Sequence, residues 1–303
     1  IDDQTSLSTG LRVEKHSSEY THSWEIWYTP GSETFSPDDT MIGGHVELTH
    51  KLDNTKTLYA TISQGYKASG FNSNVDPGSN VPVLFKKETA TNVEAGIKTQ
   101  TNDLKTSSSA FYTYRKDPQF DGYKYVGANY TYFTQNFDNA ENYGLEGELD
   151  WRVNENWNIF GSIGLLKTTV EGTAFVDDSF GAEIILVDGR EQAHAPNYQF
   201  SLGAQYRHDN GFFARVNTRG MDSFYFDNVH NEQSEAYMVT DARIGYEADS
   251  WEAYLWGNNL FDKEYATRGY YITNEPNYDP ANEEQYIRLG DPRQIGVTVR
   301  YHF

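Results

Sequence analysis

Two kinds of connection alternate along this sequence of 303 residues. Short turns of roughly three to six residues alternate with loops of roughly 13 to 33 residues. The segments between these connections have a two-residue hydrophobic period. Transmembrane β-barrels have this arrangement, with tight turns on one side of the membrane and long loops on the other. The connections therefore predict an all-β fold, an antiparallel transmembrane β-barrel.

The alternation is clearest in two of the segments. Apolar residues and glycine occupy every second position from Leu145 to Val153, and the four positions between them are charged. Apolar and polar residues alternate in the same way from Tyr198 to Tyr206, apart from Gly203 on the polar side. Because successive side chains of a strand point to opposite faces, each segment has one apolar and one polar face. A soluble β-sandwich would show the same pattern.

The turns place about twelve strands, six in each direction. Those that run toward the long loops are predicted at 6–14, 57–66, 105–115, 157–168, 211–222 and 251–260. Those that return are predicted at 42–50, 88–100, 141–152, 197–207, 236–247 and 294–303. The six long loops between them are 15–41, 67–86, 116–140, 169–196, 223–235 and 261–293. An even number of strands with both ends on the short-turn side is typical of bacterial outer-membrane barrels.

Aromatic residues beside three short turns favour the barrel over the sandwich. They fall on the apolar side of their strands, and they are Trp151, Trp157, Tyr206, Phe212, Tyr246 and Trp251. Amphipathic rings prefer the boundary between lipid headgroups and hydrocarbon, so these residues are predicted to form a membrane belt. A sandwich would bury such rings and would not need six long loops on one side.

Composition limits the possible partners and cofactors. The formal net charge is -20, and the long loops carry 25 acidic against 10 basic residues, so a nucleic-acid partner is not expected. The sequence has no cysteine, which excludes disulfides and thiolate metal sites. Asp177, Asp178 and Asp188 share one loop, but no calcium-loop spacing is present, so no metal site is predicted. Residues 1–10 are polar and begin a strand, so no signal peptide is expected within this sequence.

Five stretches together resemble the TonB-dependent outer-membrane receptors. They occur in the order of that family and are Leu58–Asn72, Glu88–Lys98, Asn142–Leu149, Gly257–Tyr265 and Gly290–Phe303. The last strand alternates apolar and polar residues and stops on Phe303, which resembles the signal read by the barrel assembly machinery of the outer membrane. The alternation of the strand alone would place Phe303 on the apolar face, as one more aromatic residue of the membrane belt.

The resemblance implies more than these residues can hold. Members of the family have a plug domain, a barrel of twenty-two strands and an N-terminal segment that contacts TonB. Residues 1–303 are therefore expected to be one domain, about strands eleven to twenty-two of the barrel, with the plug and the first strands absent. The implied function is uptake of a scarce nutrient across the outer membrane, and a ferric siderophore is the preferred substrate. Iron is then present only as part of the transported chelate, and no cofactor is expected. A half-barrel would have two open sheet edges, which hydrocarbon does not tolerate.

Two aromatic loops are the candidate ligand-binding surface. Loop 116–140 and loop 261–293 combine tyrosines with a few arginines, which suits a bulky, partly anionic ligand through stacking and charge-assisted hydrogen bonds. The predicted ligand-binding residues are Tyr123, Tyr125, Arg268, Tyr270, Tyr271 and Arg288. Tyrosine is also common on extracellular barrel loops, so this composition does not define the ligand.

Two other functional classes are consistent with a β-barrel. A passive porin is favoured by the polar face of the strands and disfavoured by the receptor-like stretches. An outer-membrane enzyme would need a catalytic constellation, and no local spacing brings a serine, one of the eight histidines and an acid together. No catalytic residue is therefore predicted, and a receptor is the preferred interpretation.

Overall fold

The fold consists of strands and the connections between them. A computed structural model describes residues 2–26, 29–73, 81–126, 129–178, 181–272 and 284–303. In chain order the strands are β1 Thr5–Ser17, β2 Tyr20–Ile26, β3 Thr29–Phe35, β4 Asp38–Lys51, β5 Lys56–Lys67, β6 Gly70–Phe71, β7 Leu84–Phe85, β8 Glu88–Gln100, β9 Leu104–Lys116, β10 Gln119–Val126, β11 Asn129–Asn136, β12 Asn139–Arg152, β13 Trp157–Glu171, β14 Thr173–Asp178, β15 Gly181–Leu186, β16 Tyr198–Arg207, β17 Phe212–Met221, β18 Tyr237–Glu247, β19 Trp251–Asn258, β20 Ala266–Ile272, β21 Glu284–Leu289 and β22 Gln294–Tyr301.

Twelve of these strands form one antiparallel sheet. Its order is β1-β4-β5-β8-β9-β12-β13-β16-β17-β18-β19-β22, so each strand pairs with the strands before and after it in the predicted set. This confirms the twelve-stranded antiparallel sheet, and the predicted strand ends agree with the structure to within four residues. The agreement is close because a one-residue slip would move every apolar side chain to the polar face.

One face of the sheet is apolar and exposed. Leu11, Leu145, Leu202 and Val297 are 78%, 54%, 57% and 70% exposed, although each lies on the apolar side of its strand. A sheet that leaves a continuous apolar face uncovered needs an apolar surrounding to cover it, and lipid provides one. Among the described residues, no helix has the length and apolar character needed to cross a membrane.

The two outer strands of the sheet have free edges. Within the described part of the chain, β1 pairs along the sheet only with β4, and β22 only with β19. A lipid-exposed edge leaves backbone N–H and C=O groups without partners, which costs several kcal/mol for each group. In a closed barrel, edges of this kind pair with other strands.

The long loops contain ten short strands that were not predicted. Strands β11, β10, β14 and β15 form a second sheet, and the pairs β2 with β3, β6 with β7 and β20 with β21 form hairpins. A hydrophobic cluster of Phe137, Ala140, Val170, Ala174 and Val187, with Phe120, Ile185 and Val229 packed against it, lies between the ends of the main strands and the loops. The loops at this end of the sheet therefore have a packed core of their own.

Candidate functional site

A cavity of about 560 Å³ opens among the loops at the long-loop end of the sheet. Its walls come from five different connections, and the lining residues are Lys67, Gln119, Phe120, Asp121, Gly122, Tyr132, Ala193, His194, Phe226, Asp227, Asn228, Arg268, Gly269 and Tyr270. The volume falls within the range of about 300 to 1,000 Å³ that is usual for small-molecule pockets. Aromatic rings and positively charged side chains both face this space.

A buried ion pair holds residues that line the cavity. Glu88, which is only 4% exposed, accepts hydrogen bonds from Arg115 Nε at 2.7 Å and Arg115 Nη2 at 3.1 Å. The same carboxylate accepts the backbone N–H of Gln119 at 2.8 Å, and Lys67 Nζ lies 3.5 Å from it. Two-pronged pairs of this kind fix geometry as well as charge. The first residue of β10 and the end of β5 are thereby attached to the same carboxylate.

Phe120 links this ion pair to the core of the loops. The guanidinium of Arg115 lies over the Phe120 ring, 5.0 Å from its centroid. The other side of Phe120 contacts Phe137, with ring centroids 4.6 Å apart. An aromatic wall of the cavity is therefore supported by residues behind it.

Two glycines allow close packing at the cavity wall. A Cβ atom on Gly122 would lie 2.5 Å from the Phe133 ring, and one on Gly269 would lie 2.5 Å from the Phe226 ring. Cβ atoms in proteins do not approach other heavy atoms this closely, so any other residue at either position would have to displace the neighbouring ring. Glycine here lets the rings of Phe133 and Phe226 lie directly against the backbone.

Loop 223–235 contributes a folded turn around Asp227. Asp227 accepts the backbone N–H groups of Val229 at 2.8 Å and His230 at 2.7 Å, and its other oxygen lies 2.5 Å from His230 Nδ1. Burial alone would raise the pKa of Asp227, but the hydrogen bonds and the charge of His230 outweigh it, so the pKa is lower than usual. Asp227 is therefore an anion at the cavity wall at neutral pH.

His194 lies at the same wall with an unusual backbone conformation. Its φ of 54° is in the left-handed region, which is uncommon outside glycine and several-fold enriched in histidine. Its backbone N–H donates to the carbonyl of Tyr225 at 2.9 Å, and its ring lies 5.2 Å from that of Phe224. Partial withdrawal from solvent and the positive charge of Arg268 both lower the pKa of His194.

The hairpin of β20 and β21 brings predicted ligand-binding residues together. Arg268 and Tyr270 both line the cavity, and the Arg268 guanidinium lies 5.2 Å from the Tyr270 ring centroid. Arg288 is directly opposite Arg268, and Tyr286 is opposite Tyr270. Cross-strand partners share one face, so this face carries two arginines and two tyrosines. Like charges directly opposite repel each other, and an anionic ligand would offset that repulsion.

The other predicted ligand-binding residues are only partly placed. Strand β10 carries Tyr123 and Tyr125, and β20 carries Tyr271, but the side chains of these three tyrosines lie outside the part of the chain that the structure describes. Arg288 is exposed and does not line the cavity. Lys67, His194, Asp227 and Phe226 line the cavity and were not predicted. They come from three separate connections and share no motif that could have linked them.

The predicted membrane belt lies at the opposite end of the sheet. Trp151, Trp157, Phe212, Tyr246 and Trp251 are between 37% and 44% exposed, and Tyr206 is partly buried. The Tyr206 ring lies 5.0 Å from Trp157 and 6.3 Å from Phe212, and Tyr246 lies 5.7 Å from Trp251. The six residues thus follow neighbouring strands in a row beside the short turns. Their contact with lipid headgroups stays a prediction.

Asp177, Asp178 and Asp188, which share one acidic loop, were considered as calcium ligands, and no metal site was predicted there. Asp188 accepts the backbone N–H of Gly172 at 2.8 Å, which closes the turn between β13 and β14. The side chains of Asp177 and Asp178 lie outside the described residues. Among the residues that are described, no group of three histidine, aspartate or glutamate side chains could hold a metal ion.

A membrane barrel wall with a ligand-sized cavity among its long loops defines a receptor or transporter class. The family described as TonB dependent receptor-like, beta-barrel matches residues 1–260. The chain belongs to this family of TonB-dependent receptor barrels. The family is one of outer-membrane receptors rather than enzymes.

Individual relatives agree with this assignment. The pesticin receptor of Yersinia pestis is 24% identical over 307 residues, covering 100% of this chain and 42% of the receptor. The crystal structure of the ferric yersiniabactin uptake receptor FyuA from Yersinia pestis matches with a TM-score of 0.79 and 20% identity, over 100% of this chain and 44% of FyuA. The siderophore receptor PiuA from Acinetobacter baumannii matches with a TM-score of 0.74 and 18% identity, over 98% of this chain and 40% of PiuA. The chain thus spans less than half the length of these relatives.

Proposed function

We propose that residues 1–303 form the C-terminal part of the β-barrel domain of a TonB-dependent outer-membrane receptor that binds and imports a ferric siderophore. The observation that carries this proposal is the cavity among the long loops, where Arg268 and Tyr270 meet side chains from four other connections. The family match supports the receptor class. The proposed ligand class goes further than that match.

The chemistry of the cavity suits a ferric chelate. Lys67, His194 and Arg268 are basic and face the same space as Phe120, Phe226 and Tyr270. Ferric siderophores combine flat or aromatic groups with anionic oxygens, so both stacking and charge-assisted hydrogen bonds are available to them. FyuA is a ferric yersiniabactin uptake receptor and PiuA is a siderophore receptor, which supports the same ligand class. Iron is cargo in this proposal, and no resident cofactor is required.

Besides the ligand, the proposed partners are membrane lipid, the barrel assembly machinery and TonB. Lipid covers the exposed apolar face, and the barrel assembly machinery binds the last strand, which ends at Phe303. TonB supplies the energy through an N-terminal segment that lies outside these residues. The acidic loops face the cell exterior, where their charge keeps the surface hydrated and repels nucleic acid.

The test measures binding of a panel of ferric siderophores to the full-length receptor by calorimetry. One chelate class is expected to bind at submicromolar affinity. Arg268→Gln should weaken that binding roughly tenfold to a hundredfold, because a hydrogen bond to a charged group contributes about 1.5–3 kcal/mol. Arg152→Gln is the matched control, since Arg152 pairs with Asp103 beside a short turn at the opposite end of the sheet from the cavity. Equal losses for both variants would contradict the proposed site.

The same preparation separates the receptor from a porin and an enzyme. A passive porin would conduct small solutes in a planar bilayer without saturation and without binding any chelate. An enzyme would turn over lipid or peptide in detergent without TonB. Saturable chelate binding with a closed channel is the result expected of a receptor.

A further inference from the structure

Two arginines face each other on the polar side of the sheet, far from the loop cavity. Arg215 of β17 is directly opposite Arg243 of β18. Their chain neighbours Ala214 and Ile244 lie on the apolar, lipid-facing side, so both arginines lie on the side that faces the barrel interior. Cβ atoms of such cross-strand pairs are about 4.5–5.5 Å apart, and like charges at this distance repel each other.

The carboxylates on the same face belong to other arginines. β18 and β19 carry three of them in the described residues: Asp241 pairs with Arg219 at 2.6 Å, Glu252 pairs with Arg300 at 2.5 Å, and Glu247 pairs with Arg207. Asp241 also accepts the backbone N–H of Asn259 at 2.9 Å. No carboxylate of the described chain forms an ion pair with Arg215 or Arg243. The interior wall thus carries a local excess of two positive charges.

Aromatic rings fix the position of both guanidinium groups. The Arg215 guanidinium lies 4.3 Å from the centroid of Phe160, and that of Arg243 lies 5.9 Å from Phe213 and 5.8 Å from Tyr254. The polar contact of Arg215 is weak, with Nη1 3.5 Å from Gln205 Oε1. Nε of Arg243 is buried and has no hydrogen-bond partner among the described residues.

Next to these side chains is a cavity of about 470 Å³. Its lining includes both arginines together with Ser201, Asn217 and Trp256, and also Asp241, whose carboxylate pairs with Arg219. A guanidinium presents a planar fork of N–H donors that matches a carboxylate, and a partly desolvated charge without a partner is costly. The arrangement has the size, the charge and the free donors to hold an acidic group.

We propose that Arg215 and Arg243 form a carboxylate-binding site on the interior wall of the barrel, and that its occupant is an acidic side chain of the same polypeptide outside residues 1–303. The relatives are more than twice as long as this chain, so such a segment is available. A resident carboxylate shared by the two guanidinium groups offsets the repulsion between them permanently, whereas a ligand in transit would leave it in place between transport events. This proposal rests on the proposed function only in assuming a longer receptor.

The test uses photo-crosslinking in the full-length receptor. Asn217, which lies beside Arg215 on the interior face, is replaced with the photo-reactive p-benzoylphenylalanine, and the same replacement at Thr218 on the lipid side is the control. Irradiation should join position 217 to an acidic peptide from outside residues 1–303, identified by mass spectrometry, and position 218 should not form this product. No product at 217, or a product within residues 1–303 only, would overturn the proposal.

Charge variants identify the group that holds the occupant. The double substitution Arg215→Gln with Arg243→Gln should lower the crosslink yield at least fivefold, and Arg215→Lys with Arg243→Lys should restore most of it. Arg300→Gln, which removes an arginine that already has a carboxylate, should leave the yield unchanged. A heat-modifiability gel confirms that each variant is a folded barrel.

Two further readouts keep this proposal separate from the proposed function. If the crosslink forms and no siderophore binds, the interior site stands and the proposed function fails. If the double glutamine variant keeps the crosslink but loses uptake of a bound chelate, the two arginines serve an anion in transit, and a resident carboxylate is excluded.

Discussion

Trp157 of β13 lies directly opposite Tyr206 of β16, and their ring centroids are 5.0 Å apart at an interplanar angle of 50°. Both rings lie on the apolar side of the sheet next to short turns. Their pairing therefore joins neighbouring strands at the level where the predicted belt meets the headgroups. An aromatic pair of this kind contributes beyond its buried area, which a double-mutant cycle can measure.

The coupling between these two rings should be measurable in lipid. Trp157→Ala and Tyr206→Ala, alone and combined in the full-length receptor, should show a coupling of about 0.5–1.5 kcal/mol in urea unfolding from bilayers. Trp151→Ala with Tyr206→Ala is the control, because Trp151 is opposite Leu104 and Ile159 and not opposite Tyr206. The control pair should be additive, and equal coupling in both cycles would show that the contact between the two rings is not responsible.

The face assignment of the strands predicts the effect of a new charge. Leu145 is 54% exposed on the apolar side, six residues from Trp151, which places it near the middle of the membrane. Leu145→Arg should cost roughly 2–4 kcal/mol in bilayer folding, because lipid solvates the charge poorly. Glu146→Arg places an arginine at the next position of the strand, on the interior face, and should cost much less folding free energy. Similar folding yields for the two variants would show that the faces are assigned incorrectly.

The sheet could be predicted closely because its constraints are local. Turn lengths and two-residue alternation fix where a strand such as Asn139–Arg152 begins and ends, and a slip in register would expose its charges to lipid. The ten loop strands could not be predicted in the same way. Their segments are short and buried on irregular faces, and strand β14, for example, pairs with both β15 and β10 across a long gap in sequence.

The candidate site was predictable in composition and not in geometry. Arg268 and Tyr270 were expected from the mixture of arginine and tyrosine in one loop, and both line the cavity. Lys67 and His194 join them only because buried contacts such as that between Glu88 and Arg115 position separate loops against each other. Nothing in the local sequence of a loop shows which other loop it will contact.

The last strand should matter for assembly. Phe303 is fully exposed, and its ring lies 5.3 Å from that of Tyr301. Deleting Phe303 from the full-length receptor should lower insertion into the outer membrane, because the strand loses an aromatic anchor and its terminal recognition group. His302→Ala, one residue earlier on the other face, is the comparison. Unchanged heat-modifiable receptor in outer-membrane fractions of the deletion variant would argue against this role.

The Glu88 carboxylate should hold the β10 hairpin against the barrel rim. Glu88→Gln leaves Arg115 partly buried without its charge partner, and breaking a buried ion pair in this way costs about 3–5 kcal/mol. The hairpin should then loosen, so that trypsin cleaves at Lys124 faster and chelate affinity falls. Asp117 lies on the same connection as the β10 hairpin and pairs with the exposed Lys86. Asp117→Asn removes this ion pair and should have little effect. Equal protease resistance of Glu88→Gln and the unmodified receptor would refute the anchoring role.

His194 should make ligand affinity depend on pH. Because its pKa is lowered by burial and by Arg268, the imidazole is neutral at pH 7 and gains its proton only below the ordinary histidine value of about 6.5. Without ligand, the unfolded chain takes up this proton more readily, so the histidine contributes stability that is present above that pH and lost as the pH falls. A bound anion favours the protonated ring, so the affinity for an anionic chelate should rise roughly threefold to tenfold between pH 6.5 and pH 5.

Calorimetry on the full-length receptor, with a chelate whose own protonation does not change in this pH range, measures that rise. His194→Gln should abolish it, because the side chain then carries no titrating group. His208 lies at a short turn at the opposite end of the sheet, and His208→Gln should retain the rise in affinity. A pH dependence that survives His194→Gln would assign the proton to another group and remove His194 from the ligand-binding wall.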